Sequence, residues 1–374
     1  MHLKTLALLC YVLVTSGLAH ADSYDVASNR LSVSSIHVAG TYYRAVVTVG
    51  SLVSFNTGVT GTVDIYDPAT NVLTIPSLMV GGTVYTNVKV TVSSLVSAEP
   101  ITATGTMKLF FNAEIIGPKA PGDAQINVRS ASSTDGFHFT LDPEIWATSD
   151  TLSDPVIYRT RSGRWFVAGL SATEGIRVGS HAGSPDFTRT SFTVAAAQGQ
   201  VPGLLEFDDG LRLYYFGDGG ILSAFSRDGV SWTKESGVRV GTPAGTNLVL
   251  IADPAPVRRK DGTIVMYFKA AGRPSANPSP YDHMLYRATS TDGITFTHEN
   301  RLLVEHASVP QAFSDASGRV GVYFLDFRKF PANKEVIAAV YQQDDFTLTA
   351  PVVVTFDKLP TNTWANDPTP VSIP

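Results

Sequence analysis

The sequence predicts an all-β protein in which a small repeated β module precedes a five-bladed β-propeller. Three observations lead to this fold class. An internal repeat of 42 residues occupies the first hundred residues, and two short signals each recur five times in the rest of the chain. Apolar residues form strand-like runs separated by clusters of Gly, Asp, Asn and Pro. No segment shows an amphipathic helix with caps at both ends.

Residues 1–21 have the layout of a secretory signal peptide. Lys4 precedes an apolar run from Leu6 to Val14, and Ala19-His20-Ala21 supplies the small residues of a cleavage site. The run is too short to cross a bilayer. Cleavage removes Cys10, the only cysteine, so we expect a secreted or periplasmic protein without disulfides.

The balance of charges excludes some partners. The chain has 28 Lys and Arg residues against 33 Asp and Glu residues, which gives a net charge of −5. No basic field is present to attract nucleic acid or anionic lipid. No second apolar run is long enough for a membrane helix. We therefore expect neither a nucleic-acid partner nor a membrane span.

Residues 22–113 are predicted to form the N-terminal module. Leu31–Tyr43 resembles Leu73–Tyr85, and each stretch predicts a strand, a Gly turn and a second strand. The predicted turns are Ala39-Gly40 and Gly81-Gly82. Neither copy holds a cluster of catalytic groups. We interpret the module as an accessory unit that packs on the main domain, with attachment to another surface as the alternative.

Residues 114–374 are predicted to form the propeller, because two signals interleave there. One is an Asp turn followed by an aromatic residue, at Asp135, Asp186, Asp228, Asp292 and Asp345. The other is a tripeptide that ends in Pro and opens an apolar strand, at Pro155, Pro202, Pro254, Pro310 and Pro368. A repeat of about 40 to 60 residues with four strands is typical of a propeller blade. Since no Asp turn follows Pro368, the C-terminal strand is predicted to join the hairpin around Asp135 and close the ring.

The predicted site lies on the face where the inner strands begin. The residue before each Pro starts next to the central channel, and three of the five are acidic: Asp154, Asp253 and Asp367. Three carboxylates in one funnel suit acid–base chemistry or a hard cation such as Ca²⁺, and no other cofactor is predicted. The structural alternative is that each Asp caps a turn.

Asp367 is assigned to substrate binding, and loops on the same face add the predicted substrate-binding groups Arg273, His283 and Arg328. Loop residues of these types are more often solvated surface residues than ligands, and this alternative interpretation is favoured for His283 and Arg328. Three aromatic residues are candidates for contact with sugar rings: Trp165, Tyr281 and Trp364. The Asp turns at Asp135, Asp228 and Asp292 are assigned to hairpins at the rim and excluded from the site.

Two segments carry a family resemblance. Ser153-Asp-Pro-Val-Ile-Tyr158 with Gly163-Arg-Trp-Phe166, and Ala252-Asp-Pro-Ala-Pro-Val257 with the run Asp261–Tyr267, resemble the five-bladed glycoside hydrolases of families 43, 32 and 68. In the family 43 pattern, an Asp opening the first blade is the general base. An Asp opening the third blade tunes the pKa of the acid and orients the sugar, and a Glu opening the fourth blade is the general acid.

The resemblance implies roles for two aspartates and leaves one role unfilled. Asp154 matches the base and Asp253 matches the second position, but Val309 stands where the acid is expected. Glu305, folded back by its loop, and Asp367 are the alternatives for the acid, since hydrolysis of a glycoside needs two carboxylates.

Two functions follow from this pattern. The first is a secreted glycoside hydrolase that acts on plant or microbial polysaccharide or oligosaccharide, and the intact pair of Asp154 and Asp253 favours it. The second is a non-catalytic carbohydrate-binding or surface-interaction propeller, and Val309 favours it. Carbohydrate is the expected partner in both cases.

Overall fold

The computed structural model describes residues 23–38, 41–56, 64–67, 69–80, 83–100, 106–116, 126–148, 152–171, 173–187, 190–272, 282–315, 318–329, 334–343 and 347–373. Every named element in these ranges is a β-strand, so the all-β prediction is confirmed. In the same ranges there is no helix with the length and apolarity needed to cross a membrane. The predicted signal peptide and the predicted turns at residues 39–40 and 81–82 lie outside them.

The chain divides into two compact units, Met1–Ala103 with Val340–Val352 and Thr104–Ala339 with Val353–Pro374. The first unit contains β1 (Ser23–Asp25), β2 (Arg30–Val38), β3 (Thr41–Asn56), β4 (Asp64–Asp67), β5 (Val72–Val80) and β6 (Thr83–Pro100). They form one sheet in the order β1-β2-β3-β6-β5-β4, and parallel pairings of β1 with β5 and of β2 with β4 join its two halves. Leu31, Leu73, Ile75 and Val90 are fully buried in its core.

The two halves of this sheet open with the same hydrogen-bonded turn. In the first, the Tyr24 hydroxyl donates to the Asn29 side chain at 2.6 Å, and in the second the Tyr66 hydroxyl donates to Asn71 at 2.5 Å. Asn29 and Asn71 both have a φ of 56°, a left-handed conformation that Asn tolerates. The repeat therefore begins before the stretch that the sequence comparison found, at Tyr24 and Tyr66.

Apart from residues 340, 341 and 352, which belong to the first unit, the remaining strands of the chain lie in the second. They are β7 (Thr106–Ile115), β8 (Ile126–Ser133), β9 (His138–Thr148), β10 (Ser153–Arg159), β11 (Arg164–Ser171), β12 (Gly175–Ala182), β13 (Phe192–Ala196), β14 (Gln200–Phe207), β15 (Gly210–Gly217), β16 (Gly220–Ser226), β17 (Thr233–Lys234), β18 (Leu248–Arg258), β19 (Ile264–Gly272), β20 (Met284–Ser290), β21 (Thr297–His298), β22 (Val304–Glu305), β23 (Ala307–Ser314), β24 (Val320–Asp326), β25 (Val336–Tyr341), β26 (Val352–Val353), β27 (Thr355–Asp357) and β28 (Thr363–Ile373).

These strands form five sheets. Four follow the chain, in the orders β10-β11-β12-β13, β14-β15-β16-β17, β18-β19-β20-β21 with β22 paired to β20, and β23-β24-β25-β26. The fifth has the order β27-β9-β8-β7-β28, so the C-terminal strand lies in one sheet with the Asp135 hairpin of β8 and β9. The domain boundary predicted between residues 113 and 114 falls inside β7, and all of β7 lies in the second unit.

The five X-Pro steps singled out in the sequence lie in strands of five different sheets, and these five strands share one backbone feature. The pairing of each with its neighbour shifts register at this step, which marks a β-bulge. The residue before Pro adopts a left-handed φ in every case: Asp154 46°, Val201 41°, Asp253 51°, Val309 47° and Asp367 49°. A bulge re-aims the side chain at its centre, so the five side chains leave their strands in an equivalent way.

The five bulged strands contact one another in sequence. β10 contacts β14, β14 contacts β18, β18 contacts β23, β23 contacts β28, and β28 contacts β10. One cavity of about 200 Å³ is lined by residues of all five strands, among them Ile157, Leu205, Val257, Ala312 and Pro370. Apolar clusters lie between consecutive sheets, such as the one that brings Phe166 of β11 against Leu204 and Leu213.

The Asp turns of one sheet make contacts with another sheet. In three turns the Asp side chain accepts hydrogen bonds from backbone amides two and three residues ahead, at Asp135, Asp228 and Asp292. The glycine that follows has a positive φ and approaches an aromatic residue of another sheet. Tyr214 donates its hydroxyl to the carbonyl of Gly293 at 2.8 Å, and Tyr323 does so to Gly136 at 2.5 Å. These aspartates thus stabilise hairpins, as predicted.

Candidate functional site

Asp154, Asp253 and Asp367 come from three different sheets and interact at the bulges of β10, β18 and β28. The charge of Asp253 contributes to the raised pKa of Asp154, and the charges of Asp154 and Asp253 contribute to the raised pKa of Asp367. The strand pattern explains this convergence, because the three side chains occupy the same position in their respective bulges. We call the three residues the carboxylate cluster.

Asp253 is the most deeply buried member of the carboxylate cluster. Its side chain is 1% exposed, and the ammonium of Lys269 lies 2.6 Å from its Oδ2 atom. Neither oxygen of Asp253 receives a hydrogen bond of good geometry from another described residue. A buried carboxylate without hydrogen bonds depends on a counter-ion, so Lys269 is what allows Asp253 to carry a charge there.

Asp367 is partly exposed and has an amide partner instead of a cation. Nδ2 of Asn112 donates to Oδ2 of Asp367 at 2.8 Å, and Asn112 is 4% exposed. Burial raises the pKa of Asp367 to about 8, and the negative charges of Asp154, Asp253 and Glu335 add to that rise. This carboxyl group therefore holds its proton at neutral pH.

Asp154 is also partly exposed, but its surroundings are mixed. Burial raises its pKa and the charge of Asp253 raises it further, whereas the hydrogen bond from Ser153 and the charge of Lys269 lower it. Asp154 thus lies within the field of a cation that also neutralises Asp253. The carboxylate cluster consequently combines Asp367, whose pKa is raised to about 8, with two carboxyl groups that lie in the field of Lys269.

His283 lies beside the carboxylate cluster but is buried. Its side chain is 9% exposed, and its Nδ1 atom lies 2.9 Å from the hydroxyl of Ser308, the residue before Val309. Burial lowers the pKa of His283 to about 4, and the charge of Lys269 lowers it further. Its interpretation as a solvated surface residue is therefore wrong. The imidazole is neutral and lies buried beside the carboxylate cluster.

The other predicted binding residues have different environments. Arg328 forms a salt bridge with both carboxylate oxygens of Asp326, with Nε 2.9 Å from each, so its charge is neutralised locally. Trp364 donates its indole N–H to the carbonyl of Glu335 at 3.1 Å, and the ammonium of Lys334 covers its ring at 4.2 Å. Arg273 and Tyr281 lie outside the described residues.

Trp165 is a correction to the predicted site. It pairs with Arg159 at the far end of the β10–β11 hairpin, whereas Ser153, next to Asp154, pairs with Leu170. Five residues of strand separate the two positions, which amounts to roughly 17 Å. Trp165 is 6% exposed and packs edge-on against Phe110. It is a core residue, because the second strand of this hairpin begins at the end that is far from the bulge.

The fourth sheet supplies no carboxylate at its bulge. Val309 occupies that position. Glu305 is exposed on β22, which pairs with β20 through Met284 and Glu305 rather than with a bulged strand. Within the described ranges, no three His, Cys, Asp or Glu side chains are spaced to hold a metal ion.

Sequence reasoning missed Lys269, Asn112, Ser308 and Glu335. Lys269 faces Ala252 across β18 and β19, one residue before Asp253, so the register of a predicted hairpin could have suggested it. Asn112 faces Asn366 across β7 and β28, a pairing between distant parts of the chain that no local signal reveals.

Comparison with known proteins gave solved structures only. No family model and no curated protein matches the sequence. Similar structures include an endo-1,4-β-xylanase from Bacteroides thetaiotaomicron, with 14% identity, coverage of 68% of this chain and 94% of that chain, and a TM-score of 0.48. An endo-arabinase from the same organism has 15% identity, coverage of 65% and 92%, and a TM-score of 0.44. A family 43 endo-arabinanase from Bacillus licheniformis has 17% identity, coverage of 54% and 75%, and a TM-score of 0.37.

Glycoside hydrolases, one of them named as a family 43 enzyme, are thus among the solved structures that this chain resembles, as the Asp-Pro motifs predicted. Identities and TM-scores this low carry no inference about the activity of this chain. The function consequently rests on the carboxylate cluster itself.

Proposed function

We propose that the second unit is a five-bladed β-propeller whose bulged strands surround a central channel. Three features support the closed ring: the succession of contacts from β10 round to β28 and back to β10, the single cavity lined by all five strands, and the pairing of β28 with β7. In this arrangement the five residues before Pro surround one mouth of the channel.

We infer that this mouth is a glycan-active site and that the protein is a secreted glycoside hydrolase. The observation that carries the proposal is the carboxylate cluster, which is divided between carboxyl groups close to Lys269 and one, Asp367, whose pKa is raised by burial and by its acidic neighbours. Hydrolysis of a glycosidic bond needs that division, with one carboxylate acting on water and a protonated carboxyl group serving the leaving oxygen. The net charge of −5 suits a neutral sugar substrate better than a polyanion.

Asp154 is the base in this proposal, because it is partly exposed and lies in the field of Lys269. Asp253 is too deeply buried to orient a sugar directly, so its part is to share the charge of Lys269 and to raise the pKa values of its neighbours. The predicted signal peptide supports secretion, and polysaccharide or oligosaccharide of plants or microbes is the proposed substrate class. The N-terminal unit is proposed as an accessory module.

One observation favours a second candidate, a non-catalytic carbohydrate-binding propeller. Val309 stands where the resemblance to family 43 expects the acid. A propeller that binds glycans without cleaving them would retain the same channel mouth and need no proton donor.

A screen on the purified mature chain separates the two candidates. The wild type, Asp154→Ala and Asp253→Ala are incubated with chromogenic arabinosides, xylosides, fructosides and galactosides. We expect sugar release by the wild type and its loss in Asp154→Ala, with both variants folded by circular dichroism. If the wild type releases nothing from any substrate while a glycan array shows binding, the hydrolase proposal fails and the binding propeller stands.

A further inference from the structure

Exposure divides the carboxylate cluster into two functional layers. Asp154 and Asp367 are partly exposed, whereas Asp253 and Lys269 form a buried ion pair. The two exposed residues belong to β10 and β28, which contact each other. Of the three carboxyl groups, Asp154 and Asp367 are therefore the two that a ligand at this mouth can reach.

The charges around Asp367 differ from those around Asp154. Asp154 (on β10), Asp253 (on β18) and Glu335 (before β25) all oppose the ionisation of Asp367, and Asn112 (on β7) is the hydrogen-bond donor that meets it. Asp154 instead has the favourable charge of Lys269. Lys269 thus offsets part of the rise in the pKa of Asp154, whereas the three charges named around Asp367 all raise its pKa.

Asn112 also determines where that proton can lie. Its amide donates to Oδ2 of Asp367, so Oδ2 acts as an acceptor. The proton then occupies Oδ1, the other oxygen of the group. Asn112 is a positioning residue in this arrangement, because it acts only through Asp367.

We propose that Asp367, on the last strand of the chain, is the proton donor of this site and takes the place of the acid absent at Val309. This inference rests on the proposed hydrolase function and names the residue that function left unassigned. It sets this chain apart from the pattern in which the fourth sheet supplies the acid.

The step that follows is balanced in protons and bonds. The Oδ1–H group of Asp367 gives its proton to the glycosidic oxygen while the bond between that oxygen and the anomeric carbon breaks. Asp154 takes one proton from a water molecule, whose oxygen forms the new bond to the anomeric carbon. The substrate gains one water in total, and exchange with solvent returns the proton from Asp154 to Asp367.

The test compares two leaving groups in the full mature chain. A dinitrophenyl glycoside leaves as a stable anion and needs no proton, whereas the matching disaccharide or alkyl glycoside needs one. For Asp367→Asn we expect a loss of kcat of about 100- to 10,000-fold on the unactivated substrate and near wild-type kcat on the activated one. Asp357→Asn, an exposed carboxylate of β27, is the matched control and should leave both values unchanged.

Infrared spectroscopy gives a second reading that requires no turnover. We expect the C=O band of a protonated carboxyl group at pH 6.5 in the wild type, and its absence in Asp367→Asn. Three results would overturn the assignment of Asp367 and leave the proposed hydrolase function standing. They are an equal loss of kcat on both substrates, no loss of kcat on either, and a C=O band that persists in Asp367→Asn. Absence of hydrolysis by the wild type on every substrate would instead overturn the proposed function, and the acid role with it.

Discussion

Lys269 and Asp253 form a buried ion pair between β19 and β18, with 2.6 Å between the ammonium nitrogen and Oδ2. Only 1% of the Asp253 side chain and 14% of the Lys269 side chain are exposed. Burial of such a pair costs desolvation free energy. Removal of one partner costs more, because the remaining charge is left without water or a counter-ion. The left-handed conformation of Asp253 at the bulge directs its carboxylate toward Lys269.

Replacing Lys269 by Met should therefore destabilise the protein. Met has a similar length but no charge, so Asp253 would stay buried and unpaired, at a cost of about 3 to 5 kcal/mol in the free energy of unfolding. Chemical denaturation at pH 7 measures this cost. Lys234→Met, at an exposed position of β17, is the control and should change stability by less than about 0.5 kcal/mol. Equal stabilities of the two variants would show that Asp253 does not depend on Lys269.

The Gly293 turn offers a test of the contact between sheets. Gly293 has a φ of +72°, and a Cβ atom there would lie 2.5 Å from Phe207, 2.7 Å from the Tyr214 hydroxyl and 2.8 Å from Arg212. Gly262 has a φ of +89° but no atom within 4 Å of its Cβ position. We expect Gly262→Ala to cost about 1 to 2 kcal/mol from backbone strain alone. Gly293→Ala should cost about 1 to 3 kcal/mol more, because it also overpacks the contact.

The difference between the two alanine variants measures the cost of overpacking, since both glycines have a positive φ of similar size. Thermal unfolding of the two proteins side by side is sufficient to measure it. If both variants unfold at the same temperature, the docking of the Asp292 turn on Tyr214 does not contribute to stability.

Much of this architecture was predictable because the signals were local. Each predicted X-Pro step lies in the bulged strand of one sheet, although β18 and β28 begin several residues before theirs. The three Asp-Gly pairs form tight turns as predicted, whereas Asp345 lies outside the described residues. The site was less predictable because its partners come from register and long-range pairing. Asp367 and Asn112 are 255 residues apart, and they meet only because β28 pairs with β7. Trp165 was misassigned because a motif gives no information on which end of a hairpin a residue occupies.

Replacing Val309 by Asn should stabilise the protein. Its φ of 47° costs a β-branched residue about 1 to 2 kcal/mol, whereas Asn adopts this conformation readily. We expect Val309→Asn to raise the free energy of unfolding by about 1 kcal/mol after the loss of apolar contact. Val194→Asn, at an exposed position of β13, is the matched control and should be neutral or destabilising, because Asn disfavours strands. Denaturant titration measures both variants. A lower free energy of unfolding for Val309→Asn than for Val194→Asn would contradict backbone strain at the bulge.

His283 predicts how stability changes with acid. Its pKa in the folded protein is lowered to about 4, below the ordinary value of 6.5, so the unfolded chain binds the extra proton first. The stability is therefore complete above pH 6.5 and declines as the pH falls toward 4, by at most about 3 kcal/mol from this residue. His283→Gln should flatten that decline in unfolding experiments between pH 7 and pH 4. His181→Gln, at an exposed position, is the control and should keep the decline of the wild type. If His283→Gln loses stability in acid as much as the wild type and this control, His283 is not the cause.

The central claim is that the carboxylate cluster is a hydrolytic site, and the kcat/KM of Asp154→Asn tests it most directly. The substrate is the glycan that the wild type cleaves, and the control is Asp261→Asn, an exposed carboxylate beyond the far end of β18. The proposal predicts that Asp154→Asn loses at least about 100-fold in kcat/KM while Asp261→Asn matches the wild type. A fully active Asp154→Asn enzyme would contradict the proposal, because the base would then lie outside the cluster.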